Sequence, residues 1–327
     1  MHYIFRLIRF LSLNYKPFRN KNELLTVLFH QVNDNPFTFY PAVPKKVYQE
    51  TCLFLAKYYE IIHFSEVEKY YQSNPIKPAA IITFDDGMYD IVEHVLPFME
   101  KHQLKFNINI DTEILETKLP QDFLRVYDIL NSTETISSYL DADFIEKPIK
   151  INYDLPIETE NEFTEVLSKL SKEPKRKFTN AMHDNLGMKM ENYSRVISKE
   201  ELGKLANNTL IEIGSHSHTH AVLTQIKSQD VHFELAHSKK QLENIMNKNI
   251  DIIAYPNGAS NTQIDEMAIE NDYRYLLKTA DKPTVISKDF NFKSGSYYRI
   301  NQYHHHTELV LAHTFGIIGK IKSLIKR

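Results

Sequence analysis

Apolar residues recur along this chain in two rhythms, a short period typical of strands and a longer one typical of helices. Residues 24–32 (LLTVLFHQV) are rich in β-branched and aromatic side chains and predict a buried strand. Helical spacing follows over 45–60, and a short strand over 61–64. The continuous apolar run 79–84 (AAIITF) predicts a strand buried on both faces. A turn at 85–87, helical spacing over 89–101 and an alternating strand at 106–110 come next. Strand–helix–strand repetition of this kind predicts parallel α/β architecture. From about 112 to 198 the chain turns polar, mostly helical in pattern, and is broken by KPIKINYDLPIETE, so we expect an insertion between strands. The rhythm then resumes with a helix over 198–206, a strand over 209–214 and a long helix over 230–247. A strand over 250–255, a helix over 262–271 and the segment 273–278 continue it.

The two ends differ from this interior. Ile4, Leu7, Ile8 and Leu11 fall at helical spacing in an amphipathic segment over 1–23, but Arg6 and Arg9 interrupt what would be the apolar centre of a signal peptide. Over 303–327, Ile317, Ile318, Ile321, Leu324 and Ile325 form one stripe, with Lys320, Lys322, Lys326 and Arg327 opposite. Two readings stand: a terminal helix docked on the core, or a basic amphipathic helix resting on an anionic membrane surface. No run reaches the 18 apolar residues that a bilayer span needs. The expected location is therefore cytoplasmic, with the inner membrane face as the surface that such a helix would touch.

Composition removes several function classes. Thirty-nine basic residues against 42 acidic leave a net charge of −3, which gives no global basic field for nucleic acid. The single cysteine, Cys52, excludes an internal disulfide framework and a cysteine-rich zinc site. The eight glycines form no G-x-G-x-x-G, P-loop or G-x-S-x-G pattern.

Candidate chemistry sits where strands end, the place at which parallel α/β folds collect their active sites. Thr83-Phe84-Asp85-Asp86-Gly87 sets two adjacent carboxylates after a buried strand, an arrangement that is costly unless a cation compensates it. Gly214-Ser215-His216-Ser217-His218-Thr219-His220 follows a second strand. The i, i+4 spacing of His216 and His220 would put two imidazoles on one helical face, with His218 pointing away. One Asp and two His with an open position suit a catalytic metal better than a structural one. Tyr255-Pro256-Asn257-Gly258 stands at a third strand end, where the alternative is a plain turn. His30 ends the first strand and either lines a pocket or is a buried, hydrogen-bonded histidine.

Together these residues resemble the polysaccharide deacetylase (NodB-homology) family. Thr83-Phe84-Asp85-Asp86-Gly87 and His216-Ser217-x-x-His220 match two of its motifs, and Tyr255-Pro256-Asn257-Gly258 looks like a third in its exopolysaccharide and adhesin deacetylase form. Leu28–Val32 and Arg299-Ile300 are weaker echoes. The resemblance, spanning roughly 24–302, implies a distorted, incomplete (β/α) barrel with a mostly helical insertion, and metal-dependent removal of acetyl groups from N-acetylated sugars. It implies Asp85 as catalytic base and Asp86, His216 and His220 as ligands of a divalent metal, zinc first and cobalt or nickel as substitutes. The backbone amide of Asn257 would hold the oxyanion, and His30, Tyr255, Pro256 and Gly258 would meet the substrate. Leu311-Ala312-His313 is the nearest counterpart of the family's late motif and makes His313 the candidate general acid, with His304, His305 and His306 as alternatives. Many members carry at the place of Ala254 an arginine that orients the base; this chain has none there. An O-acetyl esterase or a catalytically silent sugar-binding homologue would share the same ligands.

Overall fold

A computed structural model of the chain describes residues 21–35, 40, 42–132, 175–177, 179–180, 183–184 and 188–316. The amphipathic segment expected over 1–23 and the basic stripe beyond Gly316 fall almost wholly outside these residues, as does most of the stretch 133–187.

Nine strands are described: β1 Glu23–Phe29, β2 Glu60–Ile61, β3 Ala79–Phe84, β4 Phe106–Ile110, β5 Ile211–Ser215, β6 Ile252–Ala254, β7 Tyr275–Thr279, β8 Thr284–Val285 and β9 Gly295–Asn301. Their order is β2-β3-β4-β5-β6-β7-β9-β1-β8, and a further pairing of β1 with β3 closes the ring. The closed barrel thus has seven strands, β1, β3, β4, β5, β6, β7 and β9, all parallel. The seam between β1 and β3 is a full ladder, from Leu24 opposite Ala79 to Phe29 opposite Phe84. The two short strands are appendages, β2 beside the start of β3 and β8 antiparallel to the start of β1.

Strand alternation sorts the apolar side chains into two cores. Leu25, Val27, Phe29, Ala80, Ile82, Phe84, Phe106, Ile108 and Ile110 belong to the larger one, together with apolar residues of the surrounding helices. The intervening positions Leu24, Ala79, Ile81, Ile252, Ala254, Tyr275, Leu277 and Tyr297 form the second, with Phe64 and Val67. The rings of Phe64, Tyr275 and Tyr297 lie within 5.9 Å of one another there and plug one end of the bore. Stepping by two along the same strands toward their C-terminal ends changes the character of the row. Leu28 and His30 continue β1, Asp85 continues β3, and Arg299 and Asn301 continue β9; all five line one cavity. The period of two along a strand therefore delivers the polar groups to the open end.

Most expected elements appear, with shifted ends. The strand expected over 24–32 stops at Phe29, and the helix over 89–101 opens as a π-helical turn, Ile91–Val95, before continuing as Leu96–His102. Pro97 near that junction has no N–H to give the α-ladder. Ser198 and Glu201 form a capping box on the helix Lys199–Lys204. The chain between β4 and β5 runs from 111 to 210. Its described parts include helices Glu113–Thr117 and Asp122–Ser132. The helix Thr307–Thr314 buries Val310, Leu311 and Ala312, and Phe315 just beyond it meets Phe54 of the helix Lys45–Tyr58, with ring centres 5.6 Å apart. No described helix is long and apolar enough to cross a membrane.

Candidate active site at the open end of the barrel

The cavity at the C-terminal ends of the strands has a volume of about 400 Å³. Asp85, Asp86, His216 and His220 form its floor and one wall, with Arg299 beside them; His30, Tyr255, Asn257 and Gly258 line it as well. Tyr40 and Tyr127, stacked at 5.4 Å with an angle of 10° between their planes, form an aromatic wall with Phe123.

The two adjacent aspartates are held differently. One oxygen of Asp85, Oδ1, accepts hydrogen bonds from Asn109 Nδ2 at 2.8 Å and Arg299 Nη1 at 2.7 Å. The other, Oδ2, lies 3.6 Å from His216 Nε2. Burial alone would raise the Asp85 carboxyl, but the Arg299 guanidinium and the His216 imidazole hold it well below the usual carboxylate range. A guanidinium that position 254 does not offer thus reaches Asp85 from β9, two strands away, through the fully buried Arg299. Asn109 reaches Asp85 because position 214 is glycine: a Cβ there would collide with the Asn109 carboxamide.

Asp86 adopts a left-handed backbone (φ 69°), as does Gly87 after it (φ 62°), and the double turn carries its carboxylate toward the histidines. It is 1% exposed, and among the described residues neither of its oxygens has a hydrogen-bond donor. His220 Nε2 lies 3.3 Å and His216 Nε2 3.6 Å from its Oδ1. Nδ1 of His216 donates to the Ala254 carbonyl at 2.7 Å, which leaves Nε2 with its lone pair facing the carboxylates. Burial, with His220 and Arg299, pushes His216 down to about 4 against the pull of Asp85, so the ring is neutral at neutral pH and able to ligate. The ligand atoms of Asp86, His216 and His220 all lie within 4.8 Å of one another. A buried carboxylate facing two imidazoles fits a divalent cation of the zinc type.

The helical reading of the histidine pair is corrected. No helix holds them: Ser217 (φ 67°) and His220 (φ 54°) turn the chain twice in the loop after β5. The rings meet at 4.8 Å, with 80° between their planes. The loop is organised by Glu234, a buried residue of the helix Ser228–Met246. Its carboxylate accepts the backbone N–H groups of His218 and Thr219, both at 2.8 Å, and the Thr219 hydroxyl at 2.6 Å.

Of the residues expected to meet substrate, His30, Tyr255 and Gly258 line the cavity, and so does Asn257; Pro256 is buried and does not. His313 is not brought to it. That residue sits in the helix Thr307–Thr314, 3.3 Å from Asp281 and 5.4 Å from the His304 ring, and His305 and His306 do not line the cavity either. Sequence reasoning missed Asn109, Glu234 and Gln121, whose side-chain amide donates to the Asp86 carbonyl and to the buried Asp111. Asn109 left a trace as one of two polar residues, with Asn107, alternating with apolar ones in a fully buried strand, whereas Glu234 looks like any other acidic residue of an amphipathic helix.

The polysaccharide deacetylase family model matches residues 142–276, a stretch that includes His216, His220 and 255–258 and begins beyond Asp85 and Asp86. No curated protein matches the chain. The fold is similar to that of the Streptococcus pyogenes deacetylase PplD in complex with acetate, at 15% identity and a TM-score of 0.58, over 90% of this chain and 98% of that one. A polysaccharide deacetylase from Bacillus cereus is similar at 15% identity and a TM-score of 0.56, over 90% of this chain and 69% of that one. IcaB from Ammonifex degensii is similar at 13% identity and a TM-score of 0.56, over 90% and 97%.

Proposed function

We propose that this chain, which has the barrel and the sequence motifs of the polysaccharide deacetylases, hydrolyses the acetamide of N-acetylated sugars in a polysaccharide or glycan precursor and does so with a divalent metal. One observation carries the reading. Beside a base already paired with a guanidinium lies a second buried carboxylate that has no donor and faces two imidazoles. Asp86, His216 and His220 would hold the cation, which when bound polarises an acyl oxygen and lowers the pKa of water.

The protein's own groups supply the remaining steps. Arg299 and Asn109 occupy Asp85 Oδ1, so Oδ2 is the atom that takes the proton from the attacking water. The backbone N–H of Asn257 serves the developing oxyanion. The departing nitrogen needs a proton, and His30 is the remaining imidazole on the cavity wall. It stands next to the base, because the Asp85 N–H donates to the carbonyl of Phe29 at 3.2 Å. The Tyr40–Tyr127 pair and Phe123 give a pyranose ring an apolar face to lie against.

Acetate release from N-acetylglucosamine oligomers, compared with acetylated xylan before and after chelation, tests the assignment. Release from the oligomers that disappears on chelation and returns with zinc is expected. Release from xylan alone would make the protein an O-acetyl esterase, and release insensitive to chelation would remove the metal from the reaction. His30→Ala should lower turnover by roughly 10²–10⁴-fold while His313→Ala leaves it within a few-fold; the reverse result would return the acid role to His313.

A further inference from the structure

The loop that carries His216 and His220 carries a third histidine between them, and it faces another cluster. His218 is buried, and its Nδ1 lies 2.9 Å from the Thr112 hydroxyl, which can accept that ring proton and leave Nε2 with a lone pair. Its ring is 4.4 Å from that of His237 on the helix Ser228–Met246. His237 Nε2 is 3.7 Å from Glu116 Oε1, and Glu116, in the helix Glu113–Thr117, also accepts a hydrogen bond from Gln241 at 2.9 Å. Phe233 stacks on His237 at 4.9 Å and meets His218 edge-on at 5.6 Å, walling one side.

We infer that Glu116, His218 and His237 form a second binding site for a divalent transition metal, separate from the one at Asp86. Their ligand atoms lie within 4.8 Å of one another, against about 3.4 Å between ligands in a tetrahedral zinc site. Glu116 and His237 are 51% and 40% exposed, so small rotations of these two side chains close the gap while His218 stays fixed. Two imidazoles and one carboxylate select zinc, nickel, cobalt or copper over magnesium or calcium. The ligands come from a helix after β4, the loop after β5 and a third element, the long helix. A metal there ties all three together at the residue midway between His216 and His220.

Zinc titration of the metal-free full-length protein, followed by calorimetry and by atomic analysis after desalting, tests this inference independently of the proposed function. The wild type should take up two equivalents. His237→Gln and Glu116→Gln, both at exposed side chains, should each weaken one class by at least about tenfold and leave the other. Phe233→Ala, which removes no ligand, should keep both. Asp86→Asn reports on the other site alone, so unchanged uptake by that variant counts against the proposed catalytic metal and not against this one. A wild type whose whole uptake is lost in Asp86→Asn, or His237→Gln and Glu116→Gln variants that bind as the wild type does, would overturn the second site.

Discussion

The barrel keeps a carboxylate near each end of its bore, and the two live under opposite conditions. At the open end Asp85 has a guanidinium for a partner and is held ionised far below the usual range. At the plugged end Glu212 accepts the backbone N–H groups of Phe64 and Ser65, at 2.8 and 3.0 Å, and no guanidinium faces it among the described residues. Burial there outweighs those bonds and the nearby His63, and raises the Glu212 carboxyl. The surroundings differ in the same sense: three aromatic rings below, and aspartates, histidines and an arginine above. One end is built to exclude water from a core and the other to keep charges poised, so substitutions at the two ends should fail differently.

The largest effect is expected at the open end. Asp85→Asn should lower turnover by roughly 10²–10⁴-fold while metal content is retained, as the proposed roles of Asp85 as base and Asp86 as ligand require. Kinetics combined with metal analysis check this, and a variant that loses its metal would exchange the roles of the two aspartates.

At the plugged end the effect should fall on stability instead. Phe64→Ala empties a fully buried ring site and should cost about 3–5 kcal/mol in denaturant unfolding. KM and metal affinity should stay near the wild-type values. A large change in KM at modest destabilisation would mean that the two ends are mechanically coupled.

The smallest effect is a slope. Because the folded-state pKa of Glu212 is raised, its contribution to stability is full below the unfolded value of about 4.3 and is lost as pH rises through the folded one. Glu212→Gln should flatten that part of the stability–pH curve, measured by thermal unfolding across the acid range. An unchanged slope would show that Glu212 is not the group that titrates.

Much of this contrast can be read in the sequence, and the missing parts share a cause. Asp85, Asp86, His216 and His220 stand out because charged and imidazole groups directly after buried strands are unusual enough to need a reason. His216 and His220 do come together, but through two left-handed residues in a loop and not along a helix face, a conformation that residue spacing does not encode. Arg299 is visible only as an echo in the chain; its partner is 214 positions earlier, and only barrel closure brings β9 and β3 to either side of β1. β9 itself (GSYYRIN) escapes the apolar rhythm because its bore-facing row holds a tyrosine, an arginine and an asparagine. The alternation in β4 was legible, while the reason for Asn109 was not, since the carboxylate it serves belongs to another strand.

The aromatic plug also governs traffic. With Phe64, Tyr275 and Tyr297 packed together at the far end, the described cavity opens at the C-terminal ends of the strands. On the proposed function a polymer is not threaded through the bore, and a glycan would lie across the mouth with a residue turned inward. On that reading acetate would leave by the route the sugar uses to enter, which makes the order of departure, and not only the chemistry, a property of the fold.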